Sequence, residues 1–381
     1  MLKKFEVKNF KNFKEKVTID FDNVGGYQFS TDCITDDIIS KMLIYGRNAT
    51  GKSNLGHAIM NINANLGFSR ITKDKEILNA DSDDSKAEFK YTFLFDGKEV
   101  IYKYNKFSNL ELLDEELIID GERSFYVNFL DKYCDFNNLY YLSPELVTNS
   151  YVDTVFFNRK TDGIMEYPIP LLRWLISNTT LTLDSALMKL SDYVRRMYMV
   201  TVGSMAIYGP KSLYETFYEN LIDEKELREF EEFLNFMGVV CRLHCEKLSD
   251  GQYELYFKQK KLLPFHENAS SGTLALMNLY IQINIGKTAS FLYLDEFDAF
   301  YHFEMTENLI RYFKLKFPNC QIILTSHNTK LMSNRLFRPD CLFILSRNGK
   351  LTSLNNATKR ELREGHNLEK MYISGEFDAY E

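Results

Sequence analysis

Apolar and polar positions alternate between Phe5 and Phe21, through Val7, Val17 and Ile19. This period of two predicts a pair of half-buried strands joined through Asn9–Asn12. Met42–Tyr45 is a short apolar run ending at Gly46; beyond a glycine-bearing loop, the spacing from Lys52 to Asn65 becomes helical. Glu88–Phe95 and Val100–Tyr104 flank Asp96-Gly97 as a hairpin should, and Leu117–Ile119 before Asp120-Gly121 starts another. From Pro170 to Phe236 the pattern predicts helices, with Leu183, Ala186, Leu187, Leu190 and Tyr193 on one face and Leu227, Phe230, Phe233 and Leu234 on another. Breaks at Gly203 and Gly209-Pro210 exclude a long coiled coil there. Tyr253–Phe257 predicts a strand and Gly272–Gly286 an apolar helix. Phe291–Leu294 and Gln321–Thr325 predict buried parallel strands on either side of a helical Glu304–Phe317.

The 381 residues are 45% hydrophobic and 26% charged, the balance of a globular protein rather than a disordered or fibrous one. A net charge of -7 and a pI near 5.6 speak against a wholly basic nucleic-acid binder, while leaving room for a local basic patch. The six cysteines lack the dense spacing of a disulfide scaffold, and Cys241, His244 and Cys245 have no second ligand pair with which to complete a zinc tetrahedron. No stretch has the length of a membrane span and Met1–Phe13 lacks the apolar core of a signal peptide, so a cytoplasmic location without membrane contact is expected.

Candidate chemistry sits in two segments. Gly46-Arg47-Asn48-Ala49-Thr50-Gly51-Lys52-Ser53 has P-loop spacing, with a strand before it and a helix after. In such a loop backbone N–H groups wrap phosphates at a helix N-terminus, the lysine reaches the β- and γ-phosphates, and the serine hydroxyl ligates Mg²⁺. Phe291–Leu294 ends in Asp295-Glu296. A carboxylate pair at a strand end suits Mg²⁺ binding by the first and orientation of the attacking water by the second.

Four motifs resemble the ABC-type ATPase heads of the RecF, SMC and OLD-like AAA family. Val7-Lys8-Asn9-Phe10-Lys11-Asn12-Phe13 resembles the first strand pair of those heads, and Asn268-Ala269-Ser270-Ser271-Gly272-Thr273 is similar to their signature motif. Asp298 resembles the D-loop aspartate, and Ser326-His327 the switch histidine. The likeness spans residues 1–60 and 265–330 and implies an α/β fold. Specifically, it implies a P-loop NTPase head with a mixed, largely parallel core sheet, a peripheral antiparallel sheet and a helical insertion. The whole chain is expected to be one head: an N-terminal sheet lobe at 1–130, a mainly helical insertion at 131–250 and a C-terminal core lobe at 251–381.

The resemblance further implies ATP and Mg²⁺ as ligands, ATP hydrolysis with Glu296 and His327 as catalytic residues, and a homodimer or higher homo-oligomer with shared sites. Ser271 and Gly272 would then serve the partner's nucleotide. Such heads usually carry a glutamine between the P-loop and the helical subdomain, but Gln28, Gln252, Gln259, Gln282 and Gln321 all fall outside that interval. The residues after His327 are too few for the nuclease domain of OLD proteins. The end of the chain, Arg363–Lys370 followed by Gly375-Glu376-Phe377, resembles stand-alone ATPases of abortive-infection operons. An effector protein from the same operon is the expected partner, in anti-phage defence. A RecF-like clamp binding DNA through residues such as Arg195 and Arg196, and a nuclease site at Asp114, Glu115 and Glu116, remain as alternatives.

Overall fold

The computed structural model describes residues 1–69, 76–136, 139, 151–152, 168–201, 206–208, 217–249, 251–284 and 288–381. Gly203, Gly209-Pro210 and Gly286 lie outside them, as do several positions of the interval between the P-loop and the helical region. Two large sheets carry the fold. In the peripheral one all the pairings are antiparallel, in the order Tyr133–Asp135, Glu122–Asn128, Leu112–Ile119, Lys98–Lys106, Ala87–Phe95, Leu2–Lys8, Val17–Asp20. Its two tightest hairpins close where Phe95 pairs with Lys98 and Ile119 with Glu122. Both residues of each Asp-Gly turn have positive φ, and the twist of such turns matches that of the strands they join.

In the core sheet, Met197–Thr201, Phe291–Asp295, Gln321–Ser326, Lys41–Tyr45 and Leu342–Leu345 lie side by side and parallel. Antiparallel edges are added by Ala206–Tyr208 and Leu351–Ser353. Every residue of Lys41–Tyr45, Phe291–Asp295 and Gln321–Ser326 is buried, as befits strands covered on both faces. Their carboxyl ends stand together at one edge, where ligands of open parallel sheets bind.

The stretch 131–250 holds strands beside the expected helices. Helices form at Leu171–Asn178, Ala186–Arg195 and Glu224–Phe236, but Met197–Thr201 between them is a core strand beside Phe291–Asp295, and Leu243–Lys247 pairs with Tyr253–Lys258 in a small sheet. Among its described residues, the stretch 131–250 therefore joins these helices to a strand of the core sheet. A continuous apolar run such as Met197-Tyr198-Met199-Val200 has no period by which to tell a buried strand from a buried helix. Leu183 also departs from expectation: it precedes the helix that Ser185 caps and is 81% exposed.

Two buried polar contacts lock the layers together. The Gln321 side chain pairs with the backbone of Leu2, donating to its carbonyl at 2.8 Å and accepting from its N–H at 2.7 Å, and it also accepts from the Tyr193 hydroxyl at 2.5 Å. The first strand of one sheet is thus tied to a central strand of the other. Glu115, on Leu112–Ile119 and fully buried, accepts from the Tyr102 hydroxyl at 2.8 Å and from the backbone N–H of Leu171.

Burial pushes the Glu115 carboxyl up to about 7, against the opposing pull of its hydrogen bonds to Leu171 and Tyr102. A folded-state value above the ordinary one favours the protonated fold, so the stability it confers is complete below about pH 4.5 and is lost as pH rises through 7. Replacing Glu115 by Gln removes this titration. Between pH 5 and pH 8 the wild type should lose roughly 2–3 kcal/mol more unfolding free energy than Glu115→Gln, as read from urea midpoints; equal losses would place the buried proton elsewhere.

Candidate nucleotide-binding site

The strand Lys41–Tyr45 runs into the loop Gly46–Ser53, and the helix Lys52–Asn65 leaves it. The loop is braced from within and from outside. Thr50 Oγ1 donates to the Arg47 carbonyl at 3.0 Å; Asn12, in the turn of the first strand pair, donates to the Thr50 carbonyl at 2.9 Å and accepts from Asn54 at 2.8 Å. Gly51 caps the helix at φ 101°, and a Cβ there would stand 2.0 Å from Asn12 Nδ2. Both the left-handed backbone and the approach of Asn12 demand glycine. Nothing local to Asn12 signals a brace that acts across 38 positions of sequence.

Lys52 is buried, and its ammonium donates to the carbonyls of Gly46 at 2.8 Å and Arg47 at 3.1 Å. Burial lowers its pKa, while the carboxylates of Glu296, Asp295 and Asp298 pull the other way. Arg47, Asn48 and Ala49 are exposed, and Ala49 adopts φ 64°.

The acids are differentiated by the backbone. Asp295 ends its strand at 1% exposure, accepting from the Ser53 hydroxyl at 2.5 Å on one oxygen and from the Thr325 hydroxyl at 2.8 Å on the other. Glu296 turns out of the strand at φ 50°, half-buried, with its N–H donating to Thr325 Oγ1 at 2.8 Å. For a residue with a Cβ that conformation costs about 1–2 kcal/mol, strain of the kind that collects at functional sites. Thr325 therefore holds both acids through one hydroxyl, a role that its place in an apolar run conceals.

Asp298 is buried and accepts from the Ser326 hydroxyl at 2.7 Å. Burial raises its carboxyl above the usual range, opposed by the Ser326 bond, His327 and Lys52. His327 follows on the surface. Ser326 Oγ also accepts from Asn328 N–H at 2.9 Å, so one serine links the segments of Asp298 and His327.

Gly46–Ser53, Asp295, Glu296, Asp298 and His327 thus meet at the carboxyl edge of the core sheet. Ser271 and Gly272 open a different element, the helix Ser271–Asn284, where Ser270 Oγ accepts from Thr273 N–H at 3.1 Å as an N-cap. Ser271 is exposed. The residues behind the alternative readings have local duties. Arg195 lies 5.1 Å from the centroid of the Phe68 ring, and Arg196 pairs with Asp192 and donates to the Thr288 carbonyl. Asp114 accepts from Asn105, and Glu116 pairs with Lys103 and Arg123, so these acids of the strand Leu112–Ile119 are engaged in cross-strand pairs.

The Ser53 hydroxyl and the Asp295 carboxylate form an all-oxygen donor set with few protein ligands, which fits Mg²⁺ shared with phosphates and water. A P-loop at the end of a central parallel strand, with acids supplied from the end of a strand two places away in the same sheet, defines a P-loop NTPase head. More closely, residues 41–333 match the family model described as "AAA domain, putative AbiEii toxin, Type IV TA system", and the chain belongs to that family.

No curated protein shows significant similarity to the chain. Solved structures similar in shape include an SMC head bound to the C-terminal winged-helix domain of ScpA, 19% identical with a TM-score of 0.48, covering 93% of this chain and 97% of that one. The SMC head of Thermotoga maritima is 17% identical at a TM-score of 0.43, over 90% and 94% of the two chains. An SMC head from Pyrococcus furiosus with an extended coiled coil, bound to the C-terminal domain of ScpA, is 16% identical at 0.44, over 93% and 96%.

Thr325→Val keeps the shape of the side chain but removes the hydroxyl that positions Asp295 and Glu296. Phosphate release from ATP should fall on the order of tenfold to a hundredfold, as misplaced reacting groups dictate, while equilibrium nucleotide affinity changes far less. Turnover equal to that of the wild type would show that the acids are held by other means.

Proposed function

We propose that the chain binds ATP with Mg²⁺ and hydrolyses it, and that its nucleotide state governs the association of its copies and, through them, an effector protein from the same operon in anti-phage defence. The observation that carries the reading is the pairing of Ser53 with Asp295, which joins the P-loop to an acid 242 residues away at the end of a parallel strand. Lys52 and the backbone of Gly46–Ser53 receive the phosphates. Ser53 and Asp295 would hold Mg²⁺, whose charge offsets that developing on the transferred phosphoryl group. Glu296, less buried than Asp295, orients and deprotonates the attacking water, and His327 faces the γ-phosphate from the neighbouring strand.

The exposed Ser271 and the half-buried Gly272 are proposed to complete the site of a second copy, an arrangement that a two-fold axis makes self-complementary. The family's description, which names a toxin of a toxin–antitoxin system, supports a role in defence. Arg195 and Arg196 are engaged locally, so no specific observation favours a DNA clamp. Among the described residues no helix is long and apolar enough to cross a membrane.

Glu296→Gln keeps the fold and the nucleotide contacts but removes the base. With ATP it should hydrolyse at least about a hundredfold more slowly, as expected for loss of a general base, and accumulate as a dimer or larger species by light scattering, whereas Ser271→Arg should stay small. If Glu296→Gln keeps full turnover, or never changes size with ATP, the shared-site switch is wrong.

A further inference from the structure

The segment that ends the chain, Leu368–Glu381, packs beside the P-loop and has no part in the chemistry above. Its short helix Leu368–Ile373 sets Tyr372 edge-on against Tyr45, the last residue of the P-loop strand, with ring centroids 4.8 Å apart. Farther along, Lys350 sits 5.6 Å from the centroid of the Tyr380 ring, and the Arg347 N–H donates to the Glu381 carbonyl at 3.0 Å. Held in this way, the Glu381 side chain accepts a 2.5 Å ion pair from Arg47 of the P-loop. Only 16% of the Glu381 side chain is exposed, against 56% of that of Arg47, and the second carboxylate oxygen is buried without a hydrogen bond. A cavity of about 210 Å³ lies between the tail and the loop, lined by Gly46, Arg47, Thr50, Leu345, Arg347 and Glu381 among others.

Arg47 belongs to the very loop that wraps the phosphates. Its guanidinium is a fork suited to anionic oxygens, whether of a carboxylate or a phosphate, and engaging one weakens its hold on the other. We propose that the tail is a latch on the nucleotide site: Glu381 withholds Arg47 from the phosphates, and bound nucleotide draws Arg47 away and releases the tail. This rests on the ATP reading above and adds a regulator to it. The coupling is reciprocal, so the factor by which loss of Glu381 tightens ATP is the factor by which ATP loosens the latch. A tail freed only in the ATP state would give a partner a surface that reports nucleotide occupancy.

The test titrates ATP with Mg²⁺ into the wild type, Glu381→Gln, Arg47→Gln, the double variant and Lys52→Ala, and follows amide exchange across residues 368–381. Glu381→Gln should bind ATP about two- to fivefold more tightly, the size expected of a partly exposed ion pair. The gain should vanish on the Arg47→Gln background, and ATP should speed exchange in the tail of the wild type. Equal or weaker binding by Glu381→Gln, or the same gain without Arg47, overturns the latch while leaving ATP binding intact. Wild type that binds ATP no better than Lys52→Ala overturns the ATP reading, and the latch falls with it.

Discussion

The hydrogen bond from Ser53 to Asp295 is where the two ends of this chain become one site. It requires three things at once: a loop that delivers Ser53 at the first turn of a helix, a strand that ends at Asp295, and a sheet order that sets the two close together. The strand Gln321–Ser326 lies between the P-loop strand and the Asp295 strand. It therefore faces both, and its Thr325 and Ser326 hydroxyls reach Asp295, Glu296 and Asp298. The same strand begins with Gln321, which anchors Leu2 and Tyr193. One buried strand thus positions the acids at its carboxyl end and joins the two sheets at its amino end.

Neighbouring residues acquire different chemistry from this frame. Asp295 continues the strand and is buried between two hydroxyl donors, whereas Glu296 leaves it through a left-handed backbone and stays half-exposed. The first carboxylate suits a cation and the second a water molecule. The strain at Glu296 is held by the bond from its N–H to Thr325. Asn12 similarly braces the P-loop from a turn in the other sheet, so loop geometry depends on the docking of the two layers.

Features that depend on local pattern were legible in the sequence. The helix Lys52–Asn65, the Asp-Gly hairpins and the strands ending at Tyr45, Asp295 and Ser326 each carry a period, a turn dipeptide or a run of apolar residues. The P-loop and the acid pair were legible for the same reason. Met197–Thr201 was not, because a short apolar run between helices has no period of its own. Asn12, Thr325 and Gln321 were missed as supports because each acts through contacts set by tertiary packing. Ser326 was read only as the neighbour of a histidine, although its hydroxyl is what ties Asp298 to the strand Gln321–Ser326.

The most direct measurement is the affinity for ATP with and without Mg²⁺, by calorimetric titration of the wild type, Asp295→Asn and Lys52→Ala. If Ser53 and Asp295 hold the cation beside the phosphates, Mg²⁺ should tighten ATP binding to the wild type, Asp295→Asn should lose most of that gain, and Lys52→Ala should bind weakly under both conditions. Asp295→Asn binding ATP with an undiminished gain from Mg²⁺ would contradict the account at its centre.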